Sequence, residues 1–415
     1  IAYVALGLAW ILPLLPLMRE GRIDESVMRI IRANVREPVQ VEGDIHALIG
    51  CNVIGEKRLS NMMAEHGISD LDELGTHIID RSRAGMVAAI AKLPRGTWKG
   101  HMRIDGYDAP IDLHAAVTIH GDHISVDYAG TSGSSIYGIN SPMCYTEAYT
   151  AFGIKCVVAP TIPNNAGTLD SILVTAPENT IVNALFPAAV NARSTIGHML
   201  PDVCFDALHK VIPGRVPAEG TSNLWNLKLG AGHGMTGTIG NSRPFMVTTF
   251  HSGGAGARPT LDGLSATPFP SGVRNVPVEI TETIAPVVVW KKEYRQDSGG
   301  AGTQRGGLGQ VMEVEHREGA PFGIFATFER VKYPARGRDG GQPGGNGRLS
   351  LASGQELKAK GFQTIPAGER LVVEMPGGGG FGDPQKRDRA AVARDVKLGL
   401  VSPQQAKATY GVEGD

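Results

Sequence analysis

Arg193 and His198 lie five positions apart in a polar stretch and could together bind an anion and hold a proton. The stretch runs from Pro160 to Pro201 and begins with Pro-x-x-Pro-Asn-Asn-Ala-Gly, which contains Asn165. Proline fixes φ and glycine opens conformations closed to other residues, so this loop can hold one shape at low entropic cost. A helix containing His198 and ending near Lys210 is predicted, and helix N-terminal amides favour anions. The pattern predicts one anionic site around Asn165, Arg193 and His198; the alternative is a rigid turn packed on a core.

Two later glycine-rich loops carry further polar side chains. His251 follows a predicted strand and opens the first loop, while Asp297 and Arg305 flank the second. Histidine titrates near neutrality, and the guanidinium fork suits a carboxylate or phosphate. We expect Asn165, His251, Asp297 and Arg305 to approach one cleft, where Arg305 holds an anionic group and His251 or Asp297 moves the proton. The alternatives are a structural histidine and an Asp297–Arg305 pair that locks its own loop.

Motifs that bind nucleotides or catalytic metals are missing. The sequence contains no G-x-x-x-x-G-K-[ST], no H-E-x-x-H and no G-x-S-x-G, and neither the loop around Gly254 nor the loop around Gly300 completes G-x-G-x-x-G. His114, His120 and His123 lie around a predicted turn and could form a metal pair, although solvent-exposed turn histidines explain them as well. If a phosphorylated intermediate is used, another polypeptide should make it.

The elements that must position these residues are predicted from periodicity. One helix begins after Asp24, a second near Asp44, and a third spans residues 71–93. From Trp98 the period is two, with a hairpin around Gly121, and Val287–Trp290 is predicted to be a buried strand. Short helices are expected over 387–397 and 402–409. The fold class is therefore α+β: a helical segment (1–95), a β-rich core with glycine loops (96–384), and a C-terminal helical tail (385–415).

Composition excludes some partners. The formal net charge of −1 gives no reason to expect nucleic acid or an anionic membrane. Four widely spaced cysteines without a C-x-x-C pair fit a reducing cytoplasm better than a disulfide frame. The first charged residue is Arg19, so a signal peptide or membrane anchor must be considered. Pro13 and Pro16 interrupt this apolar run and there is no basic start, so we expect no membrane span.

Several segments, in order along the chain, resemble the hydantoinase B/5-oxoprolinase family. The matching segments are Asn165-x-Gly167, PENTIVN (177–183), PAAVNAR (187–193), GGAGARPTLDG (253–263), VPVEITE (276–282), DSGGAGTQRGGLG (297–309), PGGGGFGDP (376–384) and, near the end, VSPQQAKATYGV (401–412). Ordered blocks over most of the chain are far more specific than any single motif. The beginning of the chain resembles a mid-chain segment of the family, so a family-typical N-terminal region is expected to be absent from this sequence.

The resemblance implies a B-type subunit of an ATP-dependent cyclic amide hydrolase that opens hydantoin, 5-oxoproline or lactam rings. An A-type partner would bind ATP and Mg and phosphorylate the substrate on oxygen. The alternative within the family is a subunit of an acetone or acetophenone carboxylase, and a non-catalytic scaffold is a third possibility. Several relatives bind a divalent metal, and the His/Asp pattern associated with that site lies upstream of this chain's first residue.

Assembly with other subunits is also expected. The predicted helices before Pro94 and the apolar first residues offer more apolar surface than a soluble monomer usually exposes. We therefore expect a hetero-oligomer that contains an A-type ATP-binding subunit, with two copies of each chain.

Overall fold

The computed structural model describes residues 15–35, 38–232, 244–267 and 269–412. The helices are α1 Glu25–Asn34, α2 Pro38–His66, α3 Asp72–Ile90, α4 Met143–Val158, α5 Ala166–Leu169, α6 Ser194–Gly197, α7 Leu200–Leu208, α8 Val278–Ile284, α9 Arg389–Lys397 and α10 Pro403–Tyr410. The strands are β1 Met18–Arg19, β2 Arg22–Ile23, β3 Gly96–Ile104, β4 Ile111–Ile119, β5 Ile124–Asp127, β6 Ile172–Thr175, β7 Trp225–Ala231, β8 Phe245–His251, β9 Val287–Tyr294, β10 Gln310–His316, β11 Phe322–Thr327, β12 Arg348–Leu351, β13 Lys360–Ile365 and β14 Leu371–Glu374. This mixture confirms the predicted α+β class.

The chain divides into two compact units, Ile1–Ile78 and Ile79–Asp415, and the division falls within α3. The domain boundaries proposed from sequence, at 95/96 and 384/385, stay a prediction. Helices precede β3 and follow β14 as expected, but five further helices, α4 to α8, lie among the strands of the predicted β-rich core within the described residues.

In the first unit, α1 begins where predicted because the Asp24 carboxylate accepts hydrogen bonds from the amides of Ser26 and Val27. The second helix starts at Pro38 rather than near Asp44, and none of its residues is buried. Arg32 of α1 forms an ion pair with Glu42 of α2. Within the described residues, no helix is both long enough and apolar enough to cross a membrane.

In the second unit, the sheet β3-β4-β5-β6 packs against helices. Strands β3 and β4 pair antiparallel over nine residues each, and β4 and β5 form the predicted hairpin. β6 then joins β5 in parallel, since α4 and α5 lie between these strands in the chain. Alternate side chains of β4 are buried and join one hydrophobic core with residues of α4 and α7, including Ile154 and Val203.

A second core lies between two four-stranded sheets, β12-β14-β10-β9 and β13-β11-β7-β8. Both sheets contribute buried side chains, and Trp225 stacks on Phe328 with 4.3 Å between ring centroids. The prediction that Val287–Trp290 is a buried strand is only partly right. Val287 is buried, but Trp290 is more than half exposed because β9 is the edge strand of its sheet.

Glycine-rich segments pack directly on one another next to this second core. A Cβ atom on Gly254 would lie 1.8 Å from the carbonyl oxygen of Gly307, and one on Gly306 would lie 2.0 Å from that of Gly378. The amides of Gly307 and Gly378 donate to the carbonyls of Ala255 and Gly307 at 2.8 and 2.9 Å. Only glycine allows backbones to approach this closely. The sequence also predicts a glycine turn between strands at GAGHGMTG (230–237), and from residue 233 onward this segment lies outside the described residues.

The two C-terminal helices form where the sequence predicts them. Ser402 caps α10 by accepting from the amide of Gln405, and Gly411 ends it with φ of +65°. Val392, Ala406 and Tyr410 form a small core with Ala301 of a glycine-rich loop. The tail is therefore packed on the loop that carries Asp297 and Arg305.

Candidate functional site

Asn165 shapes its own loop rather than pointing to an open site. Its side chain accepts from the amide of Gly167 at 3.0 Å and forms a capping box with Thr168 at the start of α5. Its Nδ2 donates to the hydroxyl of Ser82 at 2.8 Å. A Cβ at Gly167 would lie 2.1 Å from the carbonyl oxygen of Ile79, so this turn packs closely on α3. The contacts agree with the rigid-turn alternative, and a substrate-binding role for Asn165 stays a prediction.

Arg193 and His198 occupy the two ends of one short helix. The single helix predicted to run to Lys210 is in fact two helices, α6 and α7, with Arg193 as the N-cap and His198 as the C-cap of α6. Pro201 lies in the first turn of α7, where a missing amide hydrogen is tolerated. The break turns His198 toward α4.

Two tyrosines of α4 complete a cluster that we call the Arg193 site: Arg193, His198, Tyr145 and Tyr149. The Arg193 Cζ atom lies 5.2 Å from the ring centroid of Tyr145. The Tyr145 and Tyr149 rings are 4.7 Å apart, and the Tyr149 and His198 rings 5.2 Å apart. A Cβ at position 197 would lie 2.2 Å from the Tyr145 ring, so Gly197 permits this close packing. The segment Gly138–Pro142 in the sequence predicts the start of a helix through Tyr145 and Tyr149, and their i, i+4 spacing is the available signal for the cluster.

Arg193 is the cation of this site. Arg193 is exposed, and its side chain donates a long hydrogen bond, 3.5 Å, to the carbonyl of Val190. Within the described part of the chain, no carboxylate lies at ion-pair distance from it. A guanidinium over an aromatic face keeps its donors available for a planar anion. The Arg193 site can therefore bind a carboxylate or phosphate.

His198 is neutral around physiological pH. The side chain is buried, its Nδ1 has no hydrogen-bond partner among the described residues, and burial lowers the pKa of His198 to about 4. Burial, followed by a hydrogen bond with Tyr149, raises the pKa of Tyr145 well above its usual value. The site therefore combines one permanent cation with an uncharged imidazole and a protonated phenol. An unpartnered buried nitrogen is unusual and is available to a ligand.

His251 is the last residue of β8 rather than the first residue of a loop. Its Nε2 is 2.8 Å from the Thr249 hydroxyl, and its Nδ1 has no hydrogen-bond partner in the part of the chain that the structure describes. It lines a cavity of about 10 Å³, the size of one water, together with Thr249 and Lys292. Burial, and then the charge of Lys292, lower the pKa of His251 to about 3. These surroundings suit a structural histidine, and an acid/base role stays a prediction.

Asp297 and Arg305 do not pair with each other, so the loop-locking pair considered from sequence is wrong. Asp297 has φ of +61°, and its carboxylate accepts from the amide of Ser402 at 2.8 Å. Arg305 is buried and donates to Asp395 at 3.0 Å. Arg387 binds the same Asp395 oxygen and also Asp262, each at 2.7 Å. Both predicted residues thus tie a glycine loop to the C-terminal helices, and their catalytic roles stay predictions.

The structure brings together Arg193 and His198. The other four residues have separate sets of hydrogen-bond partners. Asn165 bonds to residues of α3 and α5, and His251 bonds to Thr249. Asp297 bonds to Ser402, whereas Arg305 bonds to Asp262, Asp395 and Gly306. Nothing in these contacts links the four, and the single cleft stays a prediction.

No group of three or more His, Cys, Asp or Glu side chains among the described residues is arranged to hold a metal ion. His120 and His123 stack at 4.2 Å, but they bond to Ser125 and Asp122 respectively. The described residues therefore offer no ligand set for the metal that the resemblance implies. The upstream ligands expected from the resemblance stay a prediction.

Comparison with known proteins decides the family. A family model described as hydantoinase B/oxoprolinase matches residues 9–384. The chain belongs to this family. The resemblance deduced from the ordered sequence blocks is thereby confirmed.

Two curated relatives and one solved structure indicate the range of this family. The B-type subunit of a putative D-/L-hydantoinase of Pseudomonas sp. (strain NS671) is 28% identical over 414 residues, covering 95% of this chain and 68% of that protein. The beta chain of caprolactamase from Pseudomonas jessenii is 29% identical, covering 97% and 71%. The crystal structure of ATP-dependent caprolactamase from Pseudomonas jessenii superposes with a TM-score of 0.85 at 26% identity, covering 98% of this chain and 72% of that one. The α+β hydantoinase B architecture is therefore the fold of this chain.

Proposed function

We propose that this chain is the B-type subunit of an ATP-dependent cyclic amide hydrolase. The main observation in favour of this proposal is the family match over residues 9–384, together with the TM-score of 0.85 to an ATP-dependent caprolactamase. Both relatives are named as the second component of a multi-subunit enzyme, which supports a hetero-oligomer with an A-type subunit. That A-type component would bind ATP and Mg and phosphorylate the substrate.

The chemistry explains why ATP is needed. An unstrained amide carbon is a poor electrophile. Transfer of the γ-phosphoryl group of ATP to the amide oxygen gives ADP and a phosphorylated amide, whose carbon accepts a water molecule. The ring C–N bond then breaks, the nitrogen leaves as an amine with a proton, and an acyl phosphate remains. A second water releases phosphate and leaves the carboxylate, so ring opening uses one ATP and two waters.

In this proposal the Arg193 site binds the anionic group of the intermediate. Arg193 is exposed and has no carboxylate partner in the described part of the chain, so an incoming phosphate or carboxylate replaces only water. The Tyr145 ring packs against the Arg193 guanidinium group, and the Tyr145 phenol stays protonated. The neutral His198, whose Nδ1 is unpartnered, can hydrogen-bond the ligand without adding charge. The described hydrogen bonds of Arg305 and Asp297 join a glycine loop to the C-terminal helices, which favours a structural role for both residues over direct contact with the substrate.

The direct test is turnover by the assembled enzyme. The full chain is purified with its A-type subunit and incubated with ATP, Mg and either a hydantoin, 5-oxoproline or caprolactam. We expect ADP and the ring-opened acid to form in equal amounts with one of these substrates. ADP formation that requires bicarbonate and a ketone would show a carboxylase instead and overturn the proposal. Equal turnover by the A-type subunit alone would leave the chain with a scaffold role.

The role of Arg193 is tested by substitution in the same complex. Arg193→Ala should raise KM at least tenfold, because a charge-assisted hydrogen bond contributes roughly 1.5–3 kcal/mol. Arg193→Lys should restore part of the loss, since lysine keeps the charge but not the fork. Arg215→Ala, at another exposed arginine, is the matched control and should leave KM unchanged. An unchanged KM for Arg193→Ala would exclude this site from substrate binding.

A further inference from the structure

Two adjoining loops lead into the helices of the Arg193 site, and both expose large apolar side chains. The first, residues 133–142, precedes α4 with Tyr145, and the second, residues 184–193, precedes α6. Ile136 in the first loop is 86% exposed, and Phe186 in the second is 83% exposed. Leu185 is also exposed. We call the surface of these two loops the apolar loop face.

The backbones beneath this face are firmly held. The amide of Ala192 donates to the carbonyl of Gly138 at 2.6 Å, and that of Ala184 to Ser141 at 3.1 Å. The buried side chain of Asn140 lies between the loops, with its Nδ2 within 3.0 Å of the carbonyl oxygens of Ser135, Tyr137 and Ala189. Apolar side chains on a preorganised backbone lose little entropy when a partner covers them.

Charge is nearly absent from these two loops, whose one charged residue is Arg193 at the end of the second loop. Residues 129–146 and 179–192 contain no Asp, Glu, Lys, Arg or His. Tyr137 stacks on Tyr107 at 4.3 Å and donates to Asp108 at 3.2 Å, so the Asp108 carboxylate already has a partner in the first loop. Depletion of charge with exposed aromatic and aliphatic side chains is the composition of the centre of a protein–protein interface. The complementary surface of the partner should therefore also be uncharged.

We propose that the apolar loop face docks the ATP-binding A-type subunit. This inference rests on the proposed function. A phosphorylated amide reacts with water, so the subunit that makes it must face the site that receives it. The first loop leads into the helix that carries Tyr145, the second ends at Arg193, and the two side chains are in contact. A partner seated on Ile136 and Phe186 would therefore adjoin the Arg193 site. Contact on this face thus joins the two halves of the reaction without release of the intermediate.

The test measures association, separately from turnover. Ile136→Glu and Phe186→Glu are made singly in the full chain, and the Kd for the A-type subunit is measured by sedimentation velocity. Each should weaken binding at least tenfold, because a buried unpaired carboxylate opposes the contact. Phe186→Leu keeps an apolar side chain and should bind within threefold of wild type. Leu261→Glu, at a leucine that is 54% exposed and lies outside both loop segments, is the control and should leave Kd unchanged.

Each outcome decides the proposal. Wild-type affinity in both glutamate variants, or no complex with the unmodified chain, overturns it. If the variants instead abolish self-association of this chain while the A-type complex persists, the face belongs to a second copy and the proposal is wrong. Circular dichroism and the thermal midpoint show whether each variant is folded. If the glutamate variants dissociate from the A-type subunit but the wild-type complex opens no cyclic amide, the docking proposal is supported and the proposed function is wrong. If the variants bind the A-type subunit and open the ring as the wild type does, only the docking proposal is wrong.

Discussion

Gly254→Ala should destabilise the protein strongly, because the glycine loops pack backbone against backbone. The added Cβ would lie 1.8 Å from the Gly307 carbonyl oxygen and 2.7 Å from the Gly378 amide nitrogen. Neither contact can be relieved by rotating a side chain. The segments must separate by roughly 1.6 Å to reach an ordinary contact distance, and overpacking of this kind costs about 1–3 kcal/mol.

The separation also breaks hydrogen bonds. The amide of Gly254 donates to Pro376, and its carbonyl accepts from Thr221, at 3.1 and 3.0 Å. Loss of two such bonds adds about 1–3 kcal/mol. We therefore expect the free energy of unfolding to fall by about 2–6 kcal/mol. Because the unfolding entropy is about 2.1 cal/mol/K per residue, a chain of this length should then lose roughly 2–7 °C of its thermal midpoint.

Scanning calorimetry and urea unfolding measure the change. Gly133→Ala is the matched control, because its new Cβ would meet nothing closer than 3.9 Å and its φ is not positive; its stability should change by no more than about 1 kcal/mol. Equal midpoints for the two variants would refute the packing argument. Loss of ring-opening activity with an unchanged midpoint would show instead that the Gly254 loop approaches a ligand, as glycine loops at binding sites do.

Three further substitutions test buried ionisable side chains. Arg305→Met leaves Asp395 paired with Arg387 alone and should lower the free energy of unfolding by about 3 kcal/mol. Turnover per folded complex should stay within twofold of wild type. A variant that is stable but inactive would instead support the catalytic role predicted from sequence. Burial, and then Glu219, raise the pKa of Asp202 to about 6, so the folded state binds this proton more tightly than the unfolded state and stability falls as pH rises from about 4 to 6. Asp202→Asn, which keeps the acceptor for Ser222, should remove on the order of 3 kcal/mol of that fall, measured as the difference from wild type in urea unfolding at pH 4 and pH 7; parallel pH profiles would contradict it. His251→Asn should lose less stability than wild type as pH falls from 6.5 toward 4, since the folded state keeps this imidazole neutral and the unfolded chain protonates it; equal losses in acid unfolding would count against that.

Part of the candidate site could be predicted from sequence. Arg193 and His198 were selected because of their chemistry and because a helix was expected between them, and the structure brings them to one site. Tyr145 and Tyr149 were placed on the right helix, but their contacts with Arg193 and His198 join segments about 50 residues apart. No local pattern reports such a contact. Asn140, which holds the two loops together, was missed for the same reason.

Local signals determined the elements of this protein. The alternation along Ile111–Ile119, the helix that begins after Asp24 and the short helix predicted over 402–409 each depend on neighbours within a few residues, and each prediction was correct. The order of the motif blocks determined the family. Tertiary structure alone decided what the glycines and buried charges do. Gly254 faces Gly307 and Arg305 faces Asp395, so the space and partners of these residues come from distant parts of the chain. A glycine in the sequence does not show whether a ligand or another glycine-rich segment packs against its backbone, because glycine carries no side chain that would distinguish the two cases.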